Sequence, residues 1–398
     1  MNKPTLLARR LAPWAVALLA TACGGGGGSS GAGAAMGTLK LALTDAPACG
    51  FDAVNVSIEK VRVHPSSRVD DPDDAGWVDV PVTAGKRVDL LSLTNGVLED
   101  LGQTSLPAGK YTQLRLVLAD GPGQPLPHSV VPSGGTETAL HTPSGPQSGL
   151  KMNVDIDVPE GQTADFVLDF DACRSVVTAG SPGRYNLKPV LKVIPRLSDA
   201  GMRVIGFVDE AMATHGTTIS LQSNGTVVKA TPPIVTEGPT KGQFVLYPVP
   251  TGNYDLVVTA AGRVTAVMTG VPVVADAFTH VSRQTLRINP PSSTARIASG
   301  SITPHDGSVR VLQTLTGRSK IEVAWASVDA DSGAFSLALP VGAPVKASYQ
   351  ADPAALHFQA DSGIAAQYTL EAAAGGTTKT RAANLSSADA TGLDFVFP

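Results

Sequence analysis

Gly242-Gln243-Phe244-Val245-Leu246-Tyr247-Pro248-Val249-Pro250-Thr251-Gly252-Asn253-Tyr254-Asp255-Leu256-Val257-Val258 reads as a strand, a turn and a returning strand. Side chains alternate across a strand, so Phe244 and Leu246 share one face, and Tyr254, Leu256 and Val258 share one on the way back. Pro250 and Gly252 supply the tight reversal between them. The same Pro-x-Gly-x-Tyr pattern stands at Pro107, Gly109 and Tyr111. A degenerate copy closes Gly333-Ala334-Phe335-Ser336-Leu337-Ala338-Leu339-Pro340-Val341-Gly342, with Pro344 where the tyrosine would fall. The copies are unevenly spaced, which predicts one turn device reused in separate domains and not a solenoid.

Alternation of the same kind runs through Thr38 to Thr44, Ala53 to Val63, Trp77 to Val80, Arg87 to Leu93, Tyr111 to Leu118, Asp165 to Phe170, Val204 to Val208 and Leu393 to Phe397. Asn95-Gly96 and Asn224-Gly225 are hairpin signals. No stretch carries a convincing amphipathic helix. The chain has 398 residues with 41 Gly and 30 Pro, so turns are frequent, yet Gly plus Pro stays below the disordered range. The reading is all-β, with three tandem β-sandwich domains at 37–197, 201–287 and 298–398; the resemblances named below imply an immunoglobulin-like or transthyretin-like type. Asn289-Pro290-Pro291-Ser292-Ser293 is the expected linker into the third.

The chain opens differently. Lys3, Arg9 and Arg10 precede an apolar run from Leu11 to Ala22, well short of the roughly 20 residues a spanning helix needs. Residues 1–22 therefore read as an export signal. Leu19-Ala20-Thr21-Ala22-Cys23 resembles the lipobox of bacterial lipoproteins, in which the cysteine thiol is lipidated and becomes the new N-terminus. Ala20 departs from the leucine such families prefer, and ordinary signal cleavage is the alternative. Gly24 after the cysteine is similar to the pattern of lipoproteins passed to the outer membrane of Gram-negative bacteria. Residues 23–36, almost wholly Gly, Ser and Ala, have nothing to bury and form a tether with a reach of roughly 20 Å.

Two family resemblances follow from motifs. Leu43-Thr44-Asp45-Ala46-Pro47, Val54-Asn55-Val56, Asp89-Leu90-Leu91, Leu106 to Tyr111, Arg115-Leu116, Ser148 to Lys151 and Leu168 to Ala172 fall in order. They resemble the bacterial domain of unknown function DUF4382. The resemblance implies an exported β-sandwich without an established activity. Gly242 to Val258 resembles the carboxypeptidase regulatory-like (transthyretin-like) domain, which implies a packing and spacing module without peptidase residues, related in fold to carbohydrate-binding sandwiches.

The residues offer little chemistry. The formal charge of −4 becomes −7 once Lys3, Arg9 and Arg10 leave with the signal. No basic run accompanies it, which argues against nucleic acid. The seven histidines form no metal or catalytic spacing, and no GxSxG occurs. With Cys23 assigned to lipid, Cys49 and Cys173 are an even pair in an exported chain and read as a disulfide; two free thiols are the alternative. Asp45, Asp169 and Asp171, with Asp155 and Asp157 as a second pair, could offer oxygens to Ca²⁺. Strand-end and turn-capping aspartates paired with Arg174 or Lys151 are the alternative. An aromatic platform for a sugar would have to come from Trp77 and Trp325, because Trp14 lies in the signal. These features predict a non-catalytic, membrane-tethered envelope lipoprotein that acts as a structural or interaction module. The alternative is a carbohydrate-binding surface lipoprotein, so the partners are an envelope protein or a glycan.

Overall fold

A computed structural model describes residues 34–45, 50–119, 126–143, 148–180, 184–317 and 320–398. The expected signal, Cys23, the greater part of the tether and Cys49 lie outside the described residues. From residue 35 onward the chain is one compact unit. It is all-β: six sheets pack in three pairs, each pair around its own apolar cluster. Among the described residues no helix is long and apolar enough to cross a membrane.

In the first pair, Leu191–Pro195, Thr163–Phe170, Met36–Asp45 and Glu99–Pro107 form one sheet in that order. The facing sheet centres on the long strand Phe51–His64, flanked by Gly109–Leu118, Ser129–Pro132 and Val78–Asp89. Met36–Asp45 lies parallel to Thr163–Phe170, with Leu39 opposite Ala164 and Leu43 opposite Leu168. Leu39, Leu41 and Leu43 are fully buried, as the alternation demands.

The second pair sets Gln243–Leu246, Arg203–Phe207 and Phe278–His280 against a sheet of six strands. The third sets Ala334–Pro340, Ala295–Thr303 and Phe395–Val396 against Lys320–Ser327, Ser308–Thr314, Gln367–Ala374 and Thr377–Asn384. The six-stranded sheet is not drawn from one stretch of sequence. After Thr226–Thr231, Thr218–Ser223, Gly252–Thr259 and Ala266–Val273 come Val345–Ser348 and Gln359–Ala360, which lie inside the 298–398 segment. Val345–Ser348 runs parallel to Ala266–Val273 and so crosses into the neighbouring sandwich. The Pro-rich linker is fastened too: Ser293 N donates to Gly262 O, and Val264 N to Pro291 O.

The Pro-x-Gly-x-Tyr turn is explained by one hydrogen bond. Tyr111 Oη donates to Pro107 O at 2.8 Å, and Tyr254 Oη to Pro250 O at 2.9 Å. Each tyrosine on the returning strand pins the carbonyl that starts the turn. The intervening Gly109 has φ +144°, where a side chain would be strained. The third sandwich lacks a tyrosine at position 344, yet Pro340 O accepts from Tyr368 Oη at 2.5 Å. The same carbonyl is satisfied by a tyrosine from a distant strand.

Of the two hairpin signals, Asn224-Gly225 joins Thr218–Ser223 to Thr226–Thr231, with φ of 49° and 75° as a two-residue hairpin needs. Asn95-Gly96 is a turn but not a hairpin, because its flanking strands belong to different sheets. The strand expected over Arg87 to Leu93 stops at Asp89. Its carboxylate accepts from Leu91 N at 3.1 Å and starts a 3-10 turn over Leu90–Leu93.

Candidate functional site

Of the side chains singled out from the sequence, Asp45, Asp169, Asp171, Cys173, Arg174 and Trp325 converge where the three sandwiches meet. Thr163–Phe170 delivers Asp169, and Asp171 then caps the single helical turn Ala172–Ser175, which carries Cys173 and Arg174. The hairpin of the second sandwich contributes Ser220, Gln222 and Lys229. Strand Lys320–Ser327 of the third contributes Glu322 and Trp325.

Lys229 is the first bond across this seam. Its Nζ lies 2.5 Å from Asp169 Oδ1 and donates to Asp45 O at 3.2 Å. Arg174 is the second: Nε meets Asp171 Oδ2 at 3.2 Å, Nη2 pairs with Glu322 Oε1, and the guanidinium covers the Trp325 ring at 5.4 Å. Gln222 and Glu322 form the third. Gln222 Nε2 donates to Glu322 O at 2.7 Å, and Glu322 N donates to Gln222 Oε1 at 2.7 Å. Arg310 Nη1 stands 3.8 Å from Glu322 Oε2 and also donates to Gly225 O at 3.0 Å. Further along, Gly180 N donates to Asp329 Oδ2, and Arg184 pairs with Asp331. A cavity of about 250 Å³ lies at the junction, lined among others by Arg174, Ser220, Gln222, Glu322 and Trp325.

Each expected site residue among the described residues has a place. Asp45 Oδ1 accepts from Ala172 N at 2.9 Å, so the end of the first strand is tied to the turn that carries Cys173. The carboxylates offered to Ca²⁺ face cations of the protein instead: Asp169 faces Lys229, and Asp171 faces Arg174. Asp155 lies 3.4 Å from Lys110 Nζ on the surface. Among the described residues no group of three or more His, Cys, Asp or Glu is placed to hold a metal ion. Cys173 sits on the helical turn Ala172–Ser175 and lines the junction cavity. Trp77 is not an open platform: it is 9% exposed, donates from Nε1 to Asp71 O, and lies between Arg115 at 4.6 Å and Arg62 at 5.2 Å. Trp325 lines the junction under Arg174.

Burial pushes the Glu322 carboxyl above its ordinary range, against the pull of Arg174 and Arg310. Burial pushes Asp171 up as well, and the nearby charge of Asp169 adds to it. A carboxyl raised in the folded state destabilises that state at neutral pH, and the penalty fades as pH falls toward its ordinary value. The carboxyls held low by partners, among them Asp52, Asp70 and Asp329, act only nearer and below their ordinary 3.8. Acidification from pH 7 to pH 5 is therefore expected to raise the melting temperature. The rise should be smaller in Glu322→Gln, as calorimetry at the two pH values will read; an unchanged rise would remove Glu322 as its source.

The sequence reading missed Lys229, Glu322 and Gln222. For Lys229 and Glu322 the signal was present, because each is a charged residue flanked on both sides by apolar or β-branched residues, Val-Val-Lys-Ala-Thr and Ile-Glu-Val-Ala-Trp. Such a residue needs a buried partner.

The first sandwich closes on itself over the stretch in which the ordered motifs lie. Residues 36–189 match the family described as domain of unknown function (DUF4382). The DUF4382 stretch thus supplies Asp45, Asp169, Asp171 and Arg174, one side of the junction, and the remaining sides come from outside the match. No curated protein matches the chain.

Proposed function

We propose that the protein is a non-catalytic lipoprotein of the cell envelope, held at the membrane through Cys23, that presents three fused sandwiches as a structural or interaction body. The observation that carries this reading is the junction itself. Lys229, Arg174, Gln222 and Glu322 bridge all three sandwiches through buried ion pairs and hydrogen bonds. Side chains spent on holding domains together suit a body that transmits position from a tether. The outer membrane is its place in this reading, and its partner is an envelope protein.

Two details belong to the same reading. Cys49 is the partner of Cys173 in this reading, in support of which Asp45 Oδ1 accepts from Ala172 N and so holds one end of the segment with Cys49 at the helical turn. The second and third sandwiches are carboxypeptidase regulatory-like spacers, the third degenerate, in support of which Tyr254 and Tyr368 serve the equivalent carbonyls of Pro250 and Pro340.

The anchor is tested on the protein extracted from membranes of expressing cells. Mass spectrometry of the N-terminal peptide is expected to find residues 1–22 absent and acyl chains on Cys23, and Cys23→Ser is expected to move the protein to the soluble fraction. An N-terminus cut elsewhere, or an unmodified Cys23, would overturn the lipid anchor.

A further inference from the structure

We propose that Lys229 and Asp169 are joined by an isopeptide bond, a covalent staple between the first and second sandwiches. Asp169 lies on Thr163–Phe170 and Lys229 on Thr226–Thr231, both inside sheets. Their side chains are 8% and 2% exposed, and Nζ stands 2.5 Å from Oδ1. This places the amine beside the carboxyl carbon on two rigid supports, the circumstance in which an intramolecular reaction gains most from proximity. Asp169, Asp171, Lys192 and Lys229 share a void of about 10 Å³, at or below the room for one water.

Burial changes the chemistry of such a pair. Two buried ions are costly, and passing one proton from the ammonium to the carboxylate leaves an amine and an acid, both neutral and both reactive. The amine lone pair attacks the carboxyl carbon, so the N–C bond forms and one C–O bond breaks. Two of the three ammonium protons leave with that oxygen as water, and the third remains on the amide nitrogen. Charge and atoms balance, and no oxidant or energy donor enters. Loss of the water from so small a void opposes hydrolysis. Asp45 O, 3.2 Å from Nζ, is placed to accept the remaining N–H. Asp171 lines the same void.

The test is the mass of the full chain after denaturation and reduction. The wild type is expected to be lighter by one water than its processed sequence, and a protease digest is expected to yield a branched peptide holding both Asp169 and Lys229. Lys229→Arg keeps the cation but cannot form the amide, and is expected at the full mass of its own sequence. The proposal is overturned if the wild type has its full mass with the two residues in separate linear peptides. A missing water without the branched peptide overturns it equally. The peptide map of the wild type decides the matter even if the variant does not fold.

Discussion

Measured against Lys229→Arg, which keeps the cation without the amide, Lys229→Met is expected to cost about 3–5 kcal/mol of stability, the usual penalty for leaving one member of a buried ion pair alone. Asp169 would keep its charge with only 7% of its surface exposed. Asp45 O would lose its donor. Surface pairs of this protein, such as Lys110 with Asp155, should cost under about 1 kcal/mol when broken. Pairing Lys229→Met with Asp169→Leu removes the orphaned charge and should recover most of the loss. Urea unfolding of the single and double variants measures both effects. A single variant no weaker than a surface one would show that the seam contributes little to holding the first two sandwiches together.

A chain ended after residue 292 is expected to damage the second sandwich as well as to lose the third. Val257 and Val267 are on strands of the second sandwich but pack into the third's apolar cluster, and both are almost fully buried. Uncovering them costs roughly 3–6 kcal/mol at about 1.5–3 kcal/mol per valine. The truncation also removes Val345–Ser348 from the flank of Ala266–Val273, which exposes a row of backbone groups inviting association between chains. The shortened chain should unfold at lower urea and sediment partly as aggregates. If 35–292 keeps the stability that its sandwiches have in the full chain, the crossing strand is dispensable.

Much of the fold was legible because it is written locally. Period-two alternation marked the strands, and Pro-x-Gly-x-Tyr marked the reversals in two sandwiches. The junction was legible only in half. Asp45, Asp169 and Asp171 stood out as acids near strand ends, with Arg174 beside them, but Lys229 lies 60 residues from Asp169 and 184 from Asp45, and Glu322, which pairs with Arg174, lies 148 residues from it. No periodicity reports a contact of that range. The crossing of Val345–Ser348 is hidden for a similar reason: a short strand such as Val-Lys-Ala-Ser carries nothing that says which sheet it joins. Tyr368 is the same lesson at one atom, since its hydroxyl replaces a neighbour that the sequence lacks at 344.

The direction of two strands has a mechanical consequence. Met36–Asp45 follows the tether and lies parallel to Thr163–Phe170 along most of its length. Phe395–Val396 likewise lies parallel to Ala295–Thr303. A pull along Met36–Asp45 from the tether loads its cross-strand hydrogen bonds together, in shear, where a hairpin pulled from its open end would unzip them one by one. Under the proposed anchor through Cys23, drag on the body would reach its first strand as such a shear load.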